Sequence, residues 1–98
     1  MTEKKKQKLV LIVVVPSEQQ LINEIGFGKW LESKRTELME RWKATSVTIM
    51  SFGKMVYNIG IERTPEEIDA VGFTRYLYNL RDELSNEYMT KQAFVVAI

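Results

Sequence analysis

A length of 98 residues with 45% hydrophobic and 28% charged composition sets the size of a single globular domain and excludes a disordered chain. Neither cysteine nor histidine occurs, which removes disulfides, thiolate nucleophiles, the commonest zinc ligand and the usual general base near neutral pH. The net charge of +1 is uneven: Lys4, Lys5, Lys6 and Lys8 make the first eight residues basic, and the rest of the chain is slightly acidic.

Residues 1–8 therefore read as a basic N-terminal tail ahead of one domain over residues 9–98. A nucleic-acid-binding face would place its basic residues in the body of the domain, so nucleic acid is not an expected partner beyond the Lys4–Lys8 tail. The run Leu9–Val15 is seven apolar residues closed by Pro16. It is too short to cross a membrane and no small-residue cleavage site follows it, so a cytoplasmic protein is expected. Its β-branched composition predicts a strand, and the lack of alternation predicts a central one with apolar residues on both faces.

Ser17 is the expected cap of a first helix, with Glu18 in its first turn and Leu21, Ile22 and Ile25 on its buried side. Gly26-Phe27-Gly28 predicts a kink, since the glycine spacing and the missing Lys-Ser/Thr ending do not make a P-loop. The helix resumes to about Lys43, with Leu31, Leu38 and Trp42 on one stripe and Trp30 and Met39 beside it. Thr45–Phe52 and Met55–Ile61 predict two strands joined by Gly53-Lys54 as a two-residue hairpin turn. Thr64-Pro65-Glu66-Glu67 predicts a helix start with Thr64 as cap. That helix is expected to run unbroken to about Asn86, with Phe73, Tyr76, Leu77, Leu80 and Leu84 inward. Gln92–Ile98 is the last strand.

The order strand–helix–strand–strand–helix–strand is the split-βαβ, or ferredoxin-like, arrangement. It implies an α+β sandwich: a four-stranded antiparallel sheet, the first and third strands central, two helices on one face. Pairing Phe52 with Met55 across the turn groups Met50, Phe52, Met55, Tyr57 and Ile59 on one face, expected to point outward as a ligand or partner surface. Asn58 and Arg63 are the candidate polar contacts, Arg63 beside the helix cap where an anion could bind.

No catalytic residue, metal site or cofactor is expected. Aromatic residues on the two central strands, as in RNA binders of this fold, are missing but for Tyr57. The loop Pro16-Ser17-Glu18 lacks the arginine of acylphosphatase-like proteins, and Val15-Pro16 lacks the aspartate of CRISPR-associated nucleases. The expectation is a non-enzymatic interaction module that forms a homodimer through its sheet and binds another macromolecule such as a protein. The alternative is a cofactor-independent enzyme or small-ligand sensor of the dimeric α/β-barrel type, with Asn58 or Tyr57 touching the ligand.

Overall fold

The computed structural model describes residues 6–98, the Phe52 side chain apart. Its elements are β1 (Gln7–Val15), α1 (Gln19–Ile25), α2 (Phe27–Trp42), β2 (Ser46–Phe52), β3 (Lys54–Arg63), α3 (Pro65–Asp69), α4 (Phe73–Glu87) and β4 (Ala93–Ala97). The strands form one antiparallel sheet in the order β2-β3-β1-β4, so β1 and β3 are central. β1 begins at Gln7, two residues inside the stretch read as tail.

One face of the sheet is covered. Leu9, Leu11, Val13 and Val15 of β1 and Met55, Tyr57, Ile59 and Ile61 of β3 are buried against Trp30, Leu38 and Trp42 of α2 and Leu80 and Leu84 of α4. Helix α2 lies over β2 and β3, and α4 over β4 and β1. Each helix supplies a stripe at four- and eight-residue spacing (Trp30, Leu38, Trp42; Leu80, Leu84), one and two turns apart on one side, which is why an alternating strand face can close against it.

Among the described residues there are four helical segments, where two helices, the first of them kinked, were expected. The kink at Gly26-Phe27-Gly28 separates α1 from α2, and Gly26 adopts φ +91°, a conformation that disfavours side chains. The helix from Pro65 is interrupted at Gly72 (φ +96°) before α4. Thr64 caps α3 as read: its hydroxyl accepts from the Glu67 N–H at 3.2 Å. Ser17 does not cap α1. The residue at that position is Glu18, whose carboxylate turns instead to α2. Leu21, Ile25 and Phe73, expected inward, are exposed: α1 packs on α2 and buries Ile22, and α4 buries Leu80 and Leu84, one and a half turns or more beyond Phe73.

The hairpin register differs by one residue from the expected one. Gly53 alone, at φ +80°, stands between Phe52 and Lys54, so Ser51 pairs with Met55, Met50 with Val56 and Ile49 with Tyr57. A one-residue slip exchanges the faces of a strand. Met55, Tyr57 and Ile59, expected on an outward surface, are 1%, 2% and 0% exposed beneath the helices, together with Val47. The physical reason is area: burying the Met, Tyr and Ile set removes more apolar surface from water than burying Val56, Asn58 and Gly60 would.

Candidate functional site

The uncovered face of the sheet is built from the alternate residues. β1 contributes Val10, Ile12 and Val14; β3 contributes Val56, Asn58 and Gly60; β2 contributes Ser46, Thr48 and Met50; β4 contributes Phe94 and Val96. Register sets them in cross-strand rows. Phe94, Ile12, Asn58 and Thr48 make one row, and Val96, Val10, Gly60 and Ser46 the next. Val14, Val56 and Met50 make the third.

The two halves of this face differ. Over β4 and β1 it is apolar from Val10 to Val14, with Phe94 53% and Val96 43% exposed beside the half-buried Val10, Ile12 and Val14, and Lys8 at the start of β1 puts a charge at its margin. Over β3 and β2 it turns polar around Asn58, Thr48 and Ser46. The Asn58 amide nitrogen is buried and has no hydrogen-bond partner among the described residues, a group that costs free energy as it stands. Of the five residues expected on the outward surface, Met50 lies on this face; Met55, Tyr57 and Ile59 do not. Phe52 lies outside the described side chains. Of the apolar half, the sequence already marked Val10, Ile12 and Val14 as surplus apolar residues of a strand apolar on both faces. Their signal was the absence of alternation in Leu9–Val15.

Arg63 is fully engaged elsewhere. Its guanidinium donates to the Trp42 carbonyl at 3.0 Å, at the C-terminal end of α2, and to the Glu62 carbonyl at 2.9 Å. Glu67 stands 3.8 Å away as a charge partner. It therefore closes the end of a helix, satisfying a carbonyl that the helix leaves open, and does not meet Asn58. Around it an open groove of about 570 Å³ is lined by Arg41, Trp42, Lys43, Glu67 and Glu83 among others. Arg41 there is held by Glu83 and Glu87 at 2.9 and 2.6 Å and stacks over the Trp42 ring. These pairings join α2 to α4 across the top of the sheet.

A second polar cluster lies under α2. The Trp30 indole N–H donates to Glu18 at 2.7 Å, and Lys34 bridges Glu18 (3.5 Å) and Glu37 (3.1 Å). Burial works to lower the Lys34 pKa, but hydrogen bonding and attraction to Glu37 and then Glu18 outweigh it and hold it above its ordinary value. Burial, reinforced by the charges of Glu18 and Glu37, pushes Tyr57 up to about 12. Burial likewise pushes Tyr88 up to about 12. Tyr88 packs edge-on against Tyr57 and its hydroxyl accepts from the Trp42 indole at 3.0 Å. Both tyrosines are thus neutral core members. Among the described residues, no group of three carboxylates could hold a metal ion, and no helix is long and apolar enough to cross a membrane.

No family model, curated protein or solved structure matches the chain. On the open sheet face the apolar side chains of β1 and β4 form one contiguous surface.

Proposed function

We propose that this protein is a non-enzymatic interaction module of the ferredoxin-like class, which self-associates through its sheet and offers its open face to another macromolecule. The strand order β2-β3-β1-β4 with central β1 and β3 supports the fold reading. The single observation that carries the functional reading is the apolar half of the open face, Val10, Ile12, Val14, Phe94 and Val96, which no helix among the described residues covers. Antiparallel sheets with one face in water ordinarily alternate apolar and polar residues, and β1 does not. The lack of cysteine fits a reducing compartment such as the cytoplasm.

Sedimentation velocity at micromolar concentration tests the self-association, and a strict monomer refutes that half. An apolar fluorescent dye should bind the folded protein on the open face and lose its site in Ile12→Glu. Equal dye binding by both proteins refutes the other half.

One observation favours a second reading, a small-ligand sensor or cofactor-independent enzyme of the dimeric α/β-barrel type: the unpartnered amide of Asn58 in the middle of the face. A ligand lying on the sheet would give that nitrogen an acceptor once the Asn58 side chain turns it outward. Tyr57 would take no part, since it points into the helix-covered core. Thermal stabilisation by small organic acids that disappears in Asn58→Val would support this reading over the first.

A further inference from the structure

Among the described residues the sheet has two free edges, β2 and β4, and they are not equivalent. β4 reads Ala-Phe-Val-Val-Ala, with no charge and no proline, so it carries none of the usual devices that keep an edge from pairing. The exposed residues of β2 include Ser46, Thr48 and Ser51, whose polar side chains gain little from being covered.

The hydrogen-bond pattern of β4 fixes which backbone groups are free. The Val14 N–H donates to the Gln92 carbonyl at 3.0 Å, and the Ile98 N–H to the Lys8 carbonyl at 3.1 Å. Antiparallel pairing alternates, so the even-numbered residues of β4 face β1. The N–H and C=O groups of Ala93, Val95 and Ala97 face outward. These three residues are symmetric about Val95.

We infer that the self-association runs through this edge: a second copy of the chain pairs antiparallel with β4 about a two-fold axis at Val95. The inference rests on the self-association proposed above. In that pairing Val95 meets its own copy and Ala93 meets Ala97 of the second copy, so all six outward groups find partners and none is left over. On the open face each Phe94 stands beside Val96 of the second copy, an aromatic–β-branched pair of the kind that stabilises sheets. The isologous arrangement closes on itself, as a two-fold interface must.

Space exists for it on the helix side. A groove of about 240 Å³ runs along this edge between α4 and β4, lined by Thr74, Leu77, Tyr78, Arg81 and Val95. Tyr78 is 58% exposed above it. Leu77 and Tyr78 of the second copy would enter this groove, with Arg81 at its rim. Two four-stranded sheets then become one of eight strands, with every helix on one side. The open faces merge into a single surface twice as wide for the macromolecular partner.

Val95→Pro tests the edge directly. It deletes an N–H that points away from β1, so the ladder within the sheet is kept, and proline is tolerated at such edge positions. By sedimentation velocity the wild type should dimerise at micromolar concentration, and Val95→Pro should weaken the dimer at least about 100-fold. Ile12→Glu, on the open face one strand in from the edge, leaves the outward backbone groups of β4 untouched and should leave the dimer in place. A dimer that survives Val95→Pro overturns the edge assignment; if Ile12→Glu dissociates it, self-association stands but belongs to the face. A wild type that stays monomeric overturns self-association itself.

Amide exchange on the wild type keeps the test independent of how the proline variant folds. The Val95 and Ala97 N–H groups should gain protection as the concentration rises through the dimerisation range. Rapid exchange of both in a proven dimer overturns the inference.

Discussion

Adjacent residues on β3 should respond to substitution in opposite ways. Ile59 is fully buried under the helices, and Asn58 next to it lies on the open face with an unpartnered amide nitrogen. Ile59→Ala deletes three carbon groups at roughly 0.8 kcal/mol each and leaves a cavity, for a loss of about 3 kcal/mol. Asn58→Val removes a donor that has no acceptor and places a β-branched side chain between Ile12 and Thr48. It should stabilise by about 1 kcal/mol. With a urea dependence of about 1.5 kcal/mol per molar for a domain of this size, the midpoint should fall by about 2 M in Ile59→Ala and rise by about 0.7 M in Asn58→Val. Urea unfolding followed by tryptophan fluorescence reads both. The opposite order, with Ile59→Ala tolerated and Asn58→Val costing more than 1 kcal/mol, would mean that β3 turns its other face to the helices.

Three further outcomes follow from the polar contacts. Tyr57 and Tyr88 hold folded-state pKa values of about 12 against an ordinary 10, so their contribution to stability is complete below pH 10 and lost as the pH rises towards 12. Urea midpoints measured across that window should fall, and Tyr57→Phe should make the fall shallower. Glu18→Ala leaves the part-buried Trp30 indole N–H without its acceptor and should cost roughly 1–2 kcal/mol, with a shift in Trp30 emission that Glu18→Gln largely prevents. Arg63→Met frees the Trp42 carbonyl at the end of α2 and should lower stability by about 1 kcal/mol in the same unfolding assay. Phosphate should bind wild type and Arg63→Met equally poorly, whereas an anion site at Arg63 would show a loss of binding.

Much of the fold was legible because its signals are local. The β-branched run of Leu9–Val15 made a central strand, Thr64-Pro65 made a helix start, and Gly26 marked a kink, each through backbone preferences that act within a few residues. The same run already showed that one sheet face would be too apolar for water, and Val10, Ile12 and Val14 carry that surface. The outward set Met55, Tyr57 and Ile59 was misplaced for an equally local reason. A glycine followed by lysine is compatible with a two-residue turn or with a turn centred on Gly53, and the choice reverses every side chain of one strand relative to the other.

The composition and pattern of the chain by themselves determined that it makes one α+β layer pair, which segments are strands, and that apolar area exceeds what one helical layer can cover. Tertiary structure alone decided which face that excess occupies. Trp30, Leu38 and Trp42 from α2 and Leu80 and Leu84 from α4 close over the larger β3 side chains and leave β1's alternate valines and Ile12 outside. It also decided that Arg63 ends a helix 21 residues earlier in the chain, a contact between distant segments with no signature in either one. Which backbone groups of β4 are left free was likewise settled by its pairing with β1. Local sequence fixes conformation, but partners across the sheet fix direction, and this protein's surfaces depend on direction.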